Sequence, residues 1–291
     1  MRVVLTFSLL TLAILALWAT GDETAPAWRR NVWGLLVFAA CGAAWMSGIL
    51  YPLGATSVAL VAVLAWGFSR AAPMSWKKLV FGVALLVVAA GLMIHALPGF
   101  SNPRAITSLR ITPDAFPYTL FLNFDKTVAG IFLLGWCHAR MNRAAEWRAM
   151  FVIAAPWAVG LFVLTMMISL VAGYVRFEPK LPAIAPLWMW ANLFLTCVAE
   201  EAICRALIQN QLQQALKSFP GGRWLALVVA AVLFGLAHQA GGPIYVALAT
   251  LAGAGYGYIY QRTGRIEASI LTHFTLNTVH FFLFTYPALQ R

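Results

Sequence analysis

The sequence predicts an all-α protein, a polytopic transmembrane helical bundle of about eight to ten spans whose chemistry-bearing residues gather in the C-terminal four helices. Three observations lead there. The chain is 62% hydrophobic and only 10% charged, against about 25% charged in an ordinary soluble domain. Several apolar runs reach the ~20 residues that cross a hydrocarbon core. No polar stretch is long enough to form a soluble domain of its own.

Taken in order, apolar runs between polar punctuation give candidate helices at 2–19, 32–51, 54–69, 79–97, 118–138, 150–174, 187–216, 224–239, 243–260 and 267–286. The first follows a lone Arg2 and precedes Ala25-Pro26-Ala27, a pattern compatible with a cleaved signal peptide. In a chain with this many spans a retained first helix is the expectation. The third run is short, and the fifth carries Asp125 and Lys126 inside it. Between the fourth and fifth, residues 98–117 contain Pro98, Pro103, Pro113 and Pro117. Proline removes a backbone donor and keeps the preceding residue out of the α region, so this stretch is not helical throughout. A plain connector is the expectation, with a lid beside a site as the alternative.

The net charge of +11 is not a nucleic-acid footprint, because the basic residues lie in short loops between helices rather than on one face. One alternation gathers Arg29, Arg30, Arg70, Lys77, Lys78, Arg140, Arg143, Arg148, Lys217, Arg223, Arg262 and Arg265 on the cytoplasmic side. That is 12 of the 20 basic residues, against six on the other side. Cys41, Cys137, Cys197 and Cys204 lie in or near apolar helices without a CxxC spacing, so they read as buried small hydrophobes rather than disulfides or metal ligands.

The stretch Leu-Phe-Leu-Thr-Cys-Val-Ala-Glu-Glu-Ala-Ile-Cys-Arg places Glu200 and Glu201 side by side in an apolar helix. An ionised group at membrane depth costs at least a few kcal/mol and persists only with a partner or a function. Glu201 and Arg205 are four residues apart and face each other on a helix. Glu200 projects about 100° away and needs a different partner. The next helix ends at His238, and the last carries His273 and Asn277 on one face. At 1.5 Å per residue, Glu200 and His238 both lie about 24–26 Å from the loop that joins their helices, and His273 and Asn277 about 15–21 Å from the same side. The four can meet, nearer the non-cytoplasmic face.

Glu200-Glu201-x-x-x-Arg205, Phe234-x-x-x-His238 and His273-x-x-x-Asn277, in this order on consecutive C-terminal helices, resemble the CPBP family of glutamic intramembrane proteases. That family includes the type II CAAX prenyl endopeptidases and many bacterial relatives. The resemblance covers roughly residues 187–286. It implies a protease-like catalytic core over 187–291 and leaves the helices of 1–186 without an assigned role. It further implies that Glu200 is a general base acting on water with His238, and that His273 and Asn277 stabilise the oxyanion. Glu201 and Arg205 would form a supporting ion pair. Neither a cofactor nor a metal is expected. The implied partners are the lipid bilayer and a membrane-anchored or lipidated protein substrate, with no nucleic acid. The implied location is a multi-pass integral membrane protein, of the bacterial inner membrane if the bacterial relatives are the guide.

Other readings attach to the same residues. Glu200 and His238 alone would suit a transporter's proton relay, and Glu200, His238 and His273 could ligate zinc, although the HExxH spacing is absent. A non-enzymatic immunity or partner-binding protein of the same family is the alternative from another class. His280, one turn beyond Asn277, reads as a packed polar residue, and His95 and His138 as histidines near helix ends. Ala249, Gly253 and Gly257 form a small-residue face that reads as close helix packing.

Overall fold

The computed structural model describes residues 1–19, 26 and 31–290. Arg29, Arg30, Arg291 and the two alanines of Ala25-Pro26-Ala27, which entered the loop-charge and signal-peptide expectations, lie outside the described residues.

The protein is an all-α bundle with one small hairpin. Helices α1 (Arg2–Ala19), α2 (Val32–Met46), α3 (Pro52–Arg70) and α4 (Trp76–Met93) lead to strands β1 (Arg104–Leu109) and β2 (Tyr118–Phe121). They are followed by α5 (Phe124–Trp136), α6 (Ala144–Val171), a composite helix α7 (185–215), α8 (Gly222–Leu236), α9 (Gly242–Thr263) and α10 (Ile266–Leu283). Helices form at all ten expected places. The fifth begins later than the sequence implied, because residues 118–121 pair with β1 as an antiparallel strand. Residues 98–117 are therefore half of a hairpin and not a plain connector.

By length and hydropathy, α1, α3, α4 and α6 each suffice to cross a membrane, and α8 with Gln239–Thr263, bent by 56° at their break, makes a fifth candidate. The four single candidates are only 17–33% buried, and the apolar surface of α4 and α6, including Leu79, Val83, Val159 and Val163, is exposed where lipid tails would lie. Of the other helices, α2 is apolar but only 15 residues long. A helix enclosed by protein can carry polar side chains that a lipid-facing helix cannot. The extreme is α5, in which every residue from Phe124 to Leu134 is buried.

The largest apolar cluster runs from Phe7 on α1 to Ile270 on α10, so the N-terminal helices share one core with the C-terminal ones. The loops sort to two ends. At one end Arg140 donates to the Leu17 carbonyl, Trp18 and the Met141 amide donate to Glu267, and Arg265 pairs with Glu146 at 2.7 Å. At the other end the hairpin, the loop after α6 and the C-terminal tail join through bridges Ala115–Leu289 and Phe177–Phe284 and the Arg176–Asp114 ion pair. For these loops the sorting agrees with the alternation read from loop charges.

Helix α7 is not a regular α-helix. Residues Ala191–Cys197 and Ala202–Gln209 are π-helical, and between them Val198–Glu201 forms a single α turn. Wide π turns concentrate at functional sites, where they re-aim side chains. The α turn packs directly on α5, where a Cβ added at Gly130 would lie 2.7 Å from the Ala199 Cα. Gly130→Val should therefore force the two helices apart. Its expected cost is about 1–3 kcal/mol, as for other overpacked cores, read as a lower melting temperature in detergent. An unchanged melting temperature would show the contact to be loose.

Candidate active site

Glu200 sits in the α turn of α7 and is 6% exposed. Its Oε1 accepts a hydrogen bond from the Lys126 Nζ at 2.8 Å. Its Oε2 is buried with no hydrogen-bond partner and lies 4.0 Å from His238 Nε2, too far for a direct hydrogen bond. The expectation that Glu200 and His238 lie level is met. His238 faces Oε2 at ion-pair distance without a direct hydrogen bond, and the direct hydrogen bond to Glu200 comes from Lys126 on Oε1.

His238 follows the last turn of α8. Its Nδ1 donates to the Phe234 carbonyl at 2.7 Å. A carbonyl only accepts, so Nδ1 carries a proton and Nε2 is the ring nitrogen turned toward Glu200. The motif spacing Phe234-x-x-x-His238 thus has a direct structural use: the first residue's backbone sets the tautomer of the second. The Phe234 ring also packs against His238 and His273.

Glu201 is fully buried and bridges two groups. Its Oε2 accepts from Arg205 Nε at 2.8 Å, as the i, i+4 spacing predicts. Its Oε1 meets His273 Nδ1 at 2.9 Å, a contact the sequence reading did not assign. Arg205 is itself fully buried, donates to the Gln209 side chain at 3.3 Å and lies over the Phe234 ring. His273 stacks on Tyr256, with ring centroids 4.7 Å apart. Asn277, one turn on, donates to Asn192 Oδ1 at 3.4 Å.

These side chains face a cavity of about 1060 Å³ whose lining includes Glu200, His238, His273 and Asn277. The hairpin contributes Arg104, Phe116 and Tyr118 to its lining, and the C-terminal tail adds Tyr286. Tyr118, on β2 and outside the helices, remains a neutral phenol, since burial pushes it up to about 12. The segment expected to be a connector therefore supplies part of the cavity wall.

His280 donates to the Thr285 carbonyl and holds the tail, in keeping with a packed polar role. His138 contacts the Ala139 carbonyl and Tyr260. His95 is more than a helix-end residue: with φ +58° it turns its Nδ1 to within 2.6 Å of buried Asp125. Gly253 and Gly257 do mark close packing, against Phe234 and against Gln209 and Arg205. All four cysteines are free. Among the described residues no group of three or more His, Cys, Asp or Glu is placed to hold a metal ion.

Lys126 is the group the sequence reading passed over. The signal was present, because a lysine in an apolar stretch requires a partner as much as a glutamate does. Its partner lies 74 residues away, beyond the reach of helix spacing.

Residues 181–279 match the family model of the type II CAAX prenyl endopeptidases, Rce1-like. The matched segment makes up about a third of the chain. Glu200, Glu201, Arg205, His238, His273 and Asn277 all fall inside the matched segment, and Lys126 falls outside it. At family level the match suggests a CAAX-type membrane protease. No curated protein and no solved structure matches the chain.

Proposed function

We propose that the protein is an intramembrane endopeptidase of the glutamic type, which hydrolyses a peptide bond in a membrane-anchored or lipidated protein. The observation that carries this reading is the pairing of a partnerless, buried Glu200 Oε2 with His238 Nε2 at 4.0 Å on the wall of the cavity. Two acceptors at that separation suit one water molecule donating to both. Glu200 takes a proton from the water as its oxygen attacks the scissile carbonyl carbon. The carbonyl oxygen then carries the negative charge, which His273 and Asn277 face from α10. When the tetrahedral intermediate collapses, the carbon–nitrogen bond breaks and the proton on Glu200 passes to the leaving nitrogen. Glu201, held by Arg205, orients His273 through its Nδ1.

The substrate reading rests on the family match and on the cavity's aromatic lining, in which Phe116, Tyr118, Tyr174 and Tyr245 can cover an apolar chain. A prenylated protein is the leading class. Purified protein in detergent should cleave such a substrate. His238→Ala should lower kcat by about 10²-fold or more with unchanged elution on size exclusion, and full activity in that variant would remove His238 from the mechanism. A carboxylate base needs no ion, so activity should survive exhaustive EDTA treatment. Loss on EDTA, restored specifically by zinc, would replace the direct mechanism with one in which a metal lowers the water's pKa.

A further inference from the structure

We infer that Lys126 is a positioning residue for Glu200, and that through it the N-terminal part of the chain sets the geometry of the site. This rests on Glu200 being the base proposed above.

Helix α5 is 13 residues long and buried from Phe124 to Leu134, a poor place for a cation. Lys126 is only 6% exposed, and a buried ammonium costs several kcal/mol unless its charge and its donors are met. Its Nζ meets Glu200 Oε1 at 2.8 Å, so each ion is the other's main compensation. Arg205 does not serve Glu200, because its Nε is committed to Glu201.

The start of α5 is held from several sides. Asp125 Oδ1 accepts from the Lys126 backbone amide at 2.9 Å and from Asn102 at 3.0 Å. The other carboxylate oxygen of Asp125 meets His95 Nδ1. Asn102 in turn accepts from the Phe124 amide at 2.8 Å, satisfying a donor of the first helical turn. One turn past Lys126, Gly130 rests on Ala199, the neighbour of Glu200. The Nζ is thus referenced both to the hairpin's base and to the α turn that carries the glutamate.

The consequence is chemical. A carboxylate can rotate to present either oxygen, and an anchored Oε1 leaves Oε2 as the oxygen turned to His238. The titratable and charged groups around Glu200 come from every neighbouring element: Lys126 from α5, His238 after α8, Tyr245 from α9, His273 from α10 and Glu201 beside it. Of these, only Lys126 holds a Glu200 oxygen at hydrogen-bond distance among the described residues. Pre-organisation of this kind governs kcat rather than substrate affinity, since misplacing a reacting group by about 1 Å costs about 10²-fold.

The test combines kinetics with a thermal cycle in detergent. Lys126→Met should lower kcat about 10²-fold with KM little changed, and Lys126→Arg should recover part of the loss by restoring the charge and the hydrogen bond. Lys126→Met and Glu200→Gln should each lower the melting temperature, while the double variant returns toward wild type, because neither charge is then left unpaired. Unchanged kcat in folded Lys126→Met, or a loss confined to KM, overturns the inference. So do additive melting shifts. Should the cycle be coupled and Glu200→Gln still cleave substrate at full rate, the proposed mechanism fails and the pair is structural. Should Glu200→Gln be inactive and the cycle additive, the mechanism stands and the role of Lys126 falls.

Discussion

Glu200→Gln should purify as a folded protein and lose about 10²–10⁴-fold in kcat, the range that a positioned general base contributes. The amide is close to the carboxylate in shape and can still accept the Lys126 hydrogen bond on its oxygen, so the packing around the α turn changes little. What disappears is the ability of the second position to take a proton, since Oε2 becomes an amide nitrogen that only donates. The exchange also leaves the buried Lys126 ammonium without a counter-charge. A lower melting temperature should therefore accompany the kinetic loss, and activity is to be compared at equal amounts of monodisperse protein. Full cleavage by the folded variant would end the glutamate-base mechanism. The same variant separates an enzyme from a protein that acts by binding alone. If cells expressing Glu200→Gln show every phenotype of wild type, binding explains the biology.

Arg205→Met should have the largest effect on stability, about 3–5 kcal/mol, the cost of breaking a buried ion pair from one side. Both partners are fully buried, so no solvent relieves the carboxylate that remains. Glu201 would keep only His273, at 2.9 Å, and Gln209 would lose the Nη1 donor it now accepts from. The methionine replaces much of the stem that packs near Phe234, which makes charge rather than volume the dominant change. The expected readout is a sharp fall in yield and in detergent melting temperature, with activity lost in proportion. Glu201→Gln combined with Arg205→Met should regain most of the stability, because the orphaned charge is gone. The double variant should remain impaired in kcat if Glu201 orients His273 as proposed. A single variant as stable as wild type would show that this pair does not hold the helix.

The two variants probe different layers of the same helix. Glu201 and Arg205 were legible as a pair because their geometry is internal to one helix: four residues bring two side chains onto one face whatever surrounds them. That the pair survives into a π-helical turn, at 2.8 Å, shows how local the constraint is. The level meeting of Glu200 with His238 was legible for a similar reason, since helix rise fixes depth and a short loop fixes direction. The partner of Glu200 was not. Lys126 lies on a helix separated from α7 by α6, and nothing in period or spacing says which helices become neighbours.

By itself the amino-acid sequence determined the membrane class, the places of the ten helices, the alternation of loops between two ends and the six motif residues of the C-terminal third. Hydropathy, helix rise and the cost of a buried charge act on each segment separately, and so can be read one segment at a time. The tertiary structure decided the rest. It joined residues 104–109 to 118–121 as a hairpin that lines the cavity, gave His95 to Asp125, put His273 against Glu201 and set Lys126 beside Glu200. Each of these contacts joins segments far apart in the chain, or depends on two π turns that re-aim α7. Their common cause is helix packing, which depends on side-chain shape at whole interfaces. Helices apolar on nearly every face leave no stripe in the sequence to say which neighbour each will take.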